Sequence, residues 1–151
     1  MIQVAAVCNE LIKRSIINNI DLSPLKLQKL IYLIYAHGLS EGEKFFNIKF
    51  NAWKYGPVCE EIYQEFKSYG YSSILSYAQD AKGISYFPNW ECSQNSHLLT
   101  CLNKIWNKYK DYTGGELITL THVDGGAWAK TLSNLTIKDK DIIQDVEKGL
   151  Y

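Results

Sequence analysis

Residues 23–38 constrain the fold most, because they combine a helix start signal with an apolar stripe. Ser23 is a favourable N-cap, and Pro24 falls at the first helical position, where its missing N–H costs nothing. The apolar residues that recur at helical spacing are Leu27, Leu30, Ile31 and Ile34. The pattern predicts an amphipathic helix ending near Gly38. The polar residues expected to point away from its apolar stripe are Lys26, Gln28 and Lys29.

Helical spacing of apolar residues also dominates the rest of the chain. It predicts helices over 2–18, 57–69 and 94–110, with Tyr63 on the inward face of the second of these. Thr113 and Glu116 have capping-box spacing and should open a short helix. A helical turn is expected over 128–132, and Thr136 can cap a last helix. The predicted fold class is mainly α, with five or six helices.

One short segment has the two-residue period of a strand instead. Over residues 48–54, apolar and polar side chains alternate. We expect a short strand, or one arm of a small hairpin whose other arm lies around Phe45 and Phe46. Gly56 and Pro57 follow and are interpreted as structural turn residues between strand and helix. Residues 71–93 give no clear pattern, although Ile84 and Tyr86 are compatible with a strand.

Length and charge limit the classes of function. A chain of 151 residues fits one domain, spanning 1–151. Lys plus Arg and Asp plus Glu both number 16, so there is no cationic excess for non-specific nucleic-acid binding. No apolar run reaches the roughly 20 residues of a membrane span, and the N-terminus does not read as a signal peptide. We therefore expect a cytoplasmic protein without membrane or nucleic-acid partners, and free, mostly buried cysteines.

No standard catalytic motif is present, and no cofactor is indicated. His122 and Asp124 are two residues apart and form the one fragment compatible with a metal or acid–base site. A hydrogen-bonded structural histidine is the alternative interpretation. The helix pair 2–18 and 24–38 could mimic a helix-turn-helix, but its second helix lacks clustered base-reading side chains. A small metal-dependent enzyme and a DNA-binding autoregulator therefore stay as alternatives.

Three sequence blocks occur in an order that resembles the Panacea domain family of SocA-like antitoxins, often described as phage-associated proteins. The first is Ser-Pro-Leu-Lys-Leu-Gln-Lys-Leu-Ile-Tyr at 23–32, which is similar to the family's TxLKLQKLLYY opening. The second, at 50–58, resembles its FEAWxYGPV motif. The third, at 116–122, resembles ELxxLTH and is followed by Trp128. From the first block to the third they span residues 23–122, which is most of the chain.

The resemblance implies a non-enzymatic antitoxin that neutralises a cognate protein toxin by direct binding. It also implies an alternative, in which an adaptor delivers the toxin to the ClpXP protease. The motif residues that could contact a partner are Lys26, Gln28, Lys29, Tyr32, Trp53, Tyr55, Thr121, His122 and Trp128. Each could instead be a strut of the core. Our hypothesis is that Lys26, Trp53, Tyr55 and His122 converge on one surface.

Overall fold

A computed structural model describes all 151 residues and confirms the mainly α class. The helices are α1 (Val4–Ile17), α2 (Pro24–Ser40), α3 (Glu60–Phe66), α4 (Ser96–Tyr109), α5 (Gly114–Thr121), α6 (Ala127–Lys130) and α7 (Asp139–Glu147). Short 3-10 helices cover Lys67–Tyr69 and Ser93–Asn95. The strands β1 (Asn51–Trp53) and β2 (Gly56–Val58) form one two-stranded sheet. The count of seven α-helices includes the four-residue α6, which corresponds to the helical turn expected over 128–132.

Helix α2 forms the centre of the molecule. Its predicted N-cap is confirmed, since the Ser23 hydroxyl accepts a hydrogen bond from the backbone N–H of Lys26 at 3.2 Å. Thirteen of its 17 residues are buried. Helices α1, α3, α4, α5 and α7 and strand β2 all pack against it. Because neighbouring elements cover α2 on every side, its polar residues are buried as well as its apolar ones, unlike those of an amphipathic surface helix.

The predicted outward orientation of the polar α2 residues is therefore wrong. Only 5% of Lys26, 3% of Gln28 and none of Lys29 is exposed. Their positions do lie off the apolar stripe, but neighbouring elements cover that side of the helix too. The apolar periodicity identified the helix correctly and gave no information about what would cover its other face.

The β hairpin differs from the predicted one in its second arm. β1 pairs antiparallel with β2, and Trp53 opposite Gly56 closes a two-residue loop of Lys54 and Tyr55. Phe45 and Phe46 are buried in the core instead of pairing with β1. Gly56 and Pro57 consequently lie in β2, directly after the turn. Gly56 has a φ of +109°, a conformation that L side chains rarely adopt.

A third segment runs along the other edge of β1. The Ala52 N–H donates to the Leu135 carbonyl at 2.9 Å, and the Ile137 N–H donates to the Phe50 carbonyl at 2.8 Å. The Thr136 hydroxyl donates to the Asn51 side chain at 3.1 Å. Thr136 is therefore unavailable as a cap, and α7 begins at Asp139 without a side-chain cap. The predicted cap is wrong because a long-range contact replaces it.

The region that gave no pattern is a long loop. Residues 70–92, which we call the 70–92 loop, contain no helix or strand, so the strand considered around Ile84 and Tyr86 does not form. The buried side chain of Asn9 fixes this loop to α1. Its Oδ1 accepts from the Ala78 N–H at 2.8 Å, and its Nδ2 donates to the carbonyls of Ala78 and Tyr86 at 3.1 and 3.0 Å.

A buried chain of hydrogen bonds joins α2 to α7. The Tyr151 hydroxyl donates to Asp145 at 2.7 Å and lies 3.0 Å from the Tyr32 hydroxyl. The same Asp145 oxygen accepts the backbone N–H of Ala127 at 2.8 Å, which holds the start of α6. Burial raises the pKa of Tyr32 and Tyr151, so both hydroxyls stay protonated. One buried carboxylate therefore fastens α6, α7 and Tyr151 together.

We predict that Tyr151→Phe lowers the free energy of unfolding by about 1–3 kcal/mol, because buried Asp145 and Tyr32 each lose a hydrogen-bond partner. Urea denaturation followed by circular dichroism measures the change. Tyr71→Phe is the control, since Tyr71 is 98% exposed. Equal stability of the Tyr151→Phe variant and this control would contradict the prediction.

Candidate functional site

The nine candidate residues from the motifs divide into two groups by exposure. Five are buried in the interior: Lys26, Gln28, Lys29, Tyr32 and Thr121. Four reach the surface at least in part: Trp53, Tyr55, His122 and Trp128. The buried members of the motifs therefore support the fold, and the partly exposed members of the same motifs form surface.

Gln28 fixes the point where the chain enters α3. Its Nε2 donates to the Cys59 carbonyl at 2.9 Å, and its Oε1 accepts the Cys59 N–H at 3.0 Å. Cys59 precedes the first residue of α3 and supplies no side-chain cap itself. A buried backbone N–H or C=O without a partner costs free energy. The side-chain amide of Gln28 supplies a partner for both the N–H and the C=O of Cys59.

Lys29 holds the next segment of the chain, in β2. Its Nζ donates to the Pro57 carbonyl at 3.2 Å. No carboxylate lies within salt-bridge distance of this ammonium group, and burial lowers the pKa of Lys29 to about 7. A Cβ on Gly56 would lie only 2.7 Å from Lys29 Cε. The lysine side chain therefore fits in this position only because residue 56 is a glycine. This lysine acts as a buried strut between α2 and the hairpin.

Two further motif residues serve the core away from the hairpin. Lys26 donates through Nζ to the carbonyl of Lys110, at the end of α4. Burial lowers the pKa of Lys26, while the charges of Asp111, Asp21 and Glu116 oppose that shift. Tyr32 belongs to the chain of hydrogen bonds through Tyr151. Neither residue contributes to a surface at the hairpin.

An aromatic group lies where the hairpin meets α3, α5 and α6. The His122 ring stacks on Trp128, with ring centroids 3.7 Å apart and planes 5° apart. Trp128 Nε1 donates to the Trp53 carbonyl at 2.8 Å, and Trp53 meets Tyr63 edge to face at 5.0 Å. Thr121 precedes this histidine and bonds back to the Leu117 carbonyl at 3.1 Å.

We call this group, together with the residue at the hairpin tip, the hairpin surface: Trp53, Tyr55, Tyr63, His122 and Trp128. Tyr55 is 53% exposed and Tyr63 is 39% exposed. The structure brings Trp53 and His122 together through Trp128 and places Tyr55 at the exposed hairpin tip, whereas Lys26 is buried against the end of α4. Sequence analysis missed Tyr63, because its spacing in the predicted helix placed it on the inward face.

His122 has one polar atom that the protein leaves unsatisfied. Its Nε2 is buried and has no hydrogen-bond partner. Burial lowers the pKa of His122, and the nearby charge of Lys29 lowers it further. Asp124, the carboxylate proposed to act with it, is exposed on the loop that follows. No group of three or more His, Cys, Asp or Glu side chains is placed to hold a metal ion.

The structure also bears on the predictions for the cysteines and for membrane-spanning helices. All four cysteines are free, and Cys8, Cys59 and Cys101 are buried as predicted, whereas Cys92 is partly exposed. Burial raises the pKa of each of the three buried thiols. None of the helices has the length and apolar character needed to cross a bilayer.

These features define a class: a mainly α domain whose buried central helix carries the polar residues that fasten a β hairpin. The chain belongs to the family described as Antitoxin SocA-like, Panacea domain, whose model matches residues 27–129. Antitoxin SocA of Caulobacter vibrioides (strain NA1000 / CB15N) is 28% identical over 133 residues, covering 84% of this chain and 69% of that protein. No solved structure gives a significant match.

We predict that Lys29 makes stability rise with pH. Between pH 7 and 10.5 the unfolded chain binds a proton at this lysine that the folded protein does not. This contribution to the free energy of unfolding therefore increases with pH, by at most about 1.4 kcal/mol per unit. Lys29→Met removes it. Urea denaturation at pH 7 and pH 9 should show the wild type gaining stability relative to the variant.

The exposed substitution Lys140→Met is the control for this experiment, because Lys140 makes no ion pair. Its difference from the wild type should not depend on pH in this range. The prediction is contradicted if the difference in free energy of unfolding between wild type and Lys29→Met is the same at pH 7 and pH 9. Lys29 would then titrate normally in the folded protein.

Proposed function

We propose that this protein is a non-enzymatic cytoplasmic antitoxin that neutralises a cognate protein toxin by direct, stoichiometric binding. The observation that carries the proposal is the family match over residues 27–129. That range contains most of α2, the hairpin, α3, the 70–92 loop, α4, α5 and the first three residues of α6. The relative named Antitoxin SocA supports the same role.

The geometry of the motif residues supports binding as the mode of action. The side-chain polar groups of Gln28 and Lys29 are committed to backbone partners, so they brace the fold. The hairpin surface presents aromatic rings held in place by stacking and by the bond from Trp128 to Trp53. Trp and Tyr are enriched among the residues that dominate binding energy, and rings that are already ordered lose little entropy on binding.

Co-expression with the protein encoded by the adjacent reading frame tests the proposal. We expect that protein to arrest growth when induced alone, and this protein to restore growth and to co-purify with it in equal amounts. A harmless neighbour that does not co-purify would contradict the proposal. Rescue that persists in cells lacking ClpXP supports direct neutralisation, whereas rescue only in cells with the protease would favour the adaptor mechanism.

We predict that the double variant Tyr55→Ala, Tyr63→Ala weakens toxin binding about tenfold or more, because partly exposed aromatic side chains contribute strongly to interfaces. Calorimetric titration of the purified toxin measures the affinity, and a melting curve checks the fold. Ile17→Ala is the control, since Ile17 is 72% exposed at the end of α1. Unchanged affinity in the double variant would exclude the hairpin surface from the interface.

A further inference from the structure

An open groove lies on the side of α3 away from Tyr63. Helix α1, helix α3 and residues 78–86 of the 70–92 loop enclose a volume of about 450 Å³. Nine of its 15 lining residues are hydrophobic, among them Ala5, Ile62 and Ile84. Its charged lining residues are Glu61, Glu65 and Asp80, without a single Lys or Arg. The groove is thus apolar within and acidic in charge.

None of the three carboxylates forms a salt bridge within the protein. Glu61 and Glu65 are exposed, lie one turn apart on α3 and form no salt bridge. Like charges at this spacing repel each other and destabilise a helix. Asp80 also accepts hydrogen bonds within its own loop, from the Ile84 N–H at 3.0 Å and from the Tyr86 hydroxyl at 2.9 Å. A cation bound beside α3 would relieve the repulsion.

The loop that forms one wall supports a binding role. Loops this long without secondary structure are uncommon in compact domains and are usually functional or disordered. This one is ordered by Asn9 and still exposes large apolar side chains: Tyr71, Leu75, Ile84, Tyr86 and Phe87. Two of these side chains, Ile84 and Tyr86, line the groove, and exposed apolar groups grouped in this way mark interaction surfaces.

We propose that this groove is the docking site for a basic, amphipathic segment of the toxin, an inference that rests on the proposed function. The apolar interior accepts the aliphatic or aromatic side chains of that segment. Glu61 and Glu65 pair with its Lys or Arg side chains. The whole chain has a formal net charge of zero, so the acidic character is a local property of the groove. Charge complementarity of this kind selects the partner and speeds association.

The test compares two charge-reversal variants of the full chain. Glu61→Lys, Glu65→Lys changes the groove. Glu60→Lys, Glu147→Lys makes the same change in net charge at exposed positions outside it, and Glu60 also matches Glu61 in lying in the first turn of α3. A third variant, Ala5→Trp, fills the groove without altering charge. Melting curves confirm that each variant folds.

Two probes are titrated: the purified protein from the adjacent reading frame, and a fluorescein-labelled amphipathic helix of Leu and Lys. We expect the groove variants to weaken binding of both probes about tenfold or more, the control pair to change it little, and added salt to weaken it in the wild type. Sedimentation of the free protein checks for self-association through the groove.

The outcomes separate this inference from the proposed function. Toxin binding that all variants retain would overturn the groove and leave the antitoxin role intact. Failure of the wild type to bind the neighbouring protein would contradict the proposed function. The peptide titration alone would then test whether the groove binds a basic, amphipathic segment. Equal peptide binding by the groove and control variants, no peptide binding at all, or dimerisation that Ala5→Trp abolishes would each overturn it.

Discussion

The burial of α2 on every side is the constraint on which the rest of this structure depends. A helix with two lysines and a glutamine in its first half can be surrounded only if each polar side chain finds a partner. Backbone groups supply those partners: the carbonyl of Lys110 for Lys26, both polar groups of Cys59 for Gln28, and the carbonyl of Pro57 for Lys29. The polar side of α2 therefore positions the end of α4, the start of α3 and strand β2.

The hairpin follows from this arrangement. Because Lys29 reaches the Pro57 carbonyl through the space beside Gly56, the strand must approach α2 closely at a residue without a side chain. Gly56 also supplies the positive φ directly after the two-residue turn. The carbonyl of Trp53, opposite this glycine, is then in place to accept the indole N–H of Trp128. A buried lysine thus determines, through the hairpin, where the aromatic rings of the surface lie.

Local signals were predictable from the sequence, and long-range ones were not. The Ser23 cap and the capping box of Thr113 depend on residues within one helical turn, and both are confirmed. Thr136 has an equally good local signal, but its hydroxyl bonds to Asn51 across the sheet instead. The burial of Lys29 and the exposure of Tyr63 depend on which elements pack around α2 and α3, information that periodicity does not contain. The candidate site was therefore predicted as a set of motifs, while its division into struts and surface came from the structure.

This division bears on which residues of the protein a partner could contact. The motif residues on α2 act on the backbone of this chain, so a partner need not contact them for the motif to be required. The groups free to contact a partner lie mostly outside the first motif: Tyr63, Glu61 and Glu65 on α3, and the 70–92 loop. Helix α3 presents its tyrosine toward the hairpin surface and its two glutamates toward the groove. A partner that spans this short helix would meet aromatic rings on one side and acidic charge on the other. Gln28 holds the start of α3 and Lys29 holds β2, so these buried residues fix the positions of the two surfaces relative to each other.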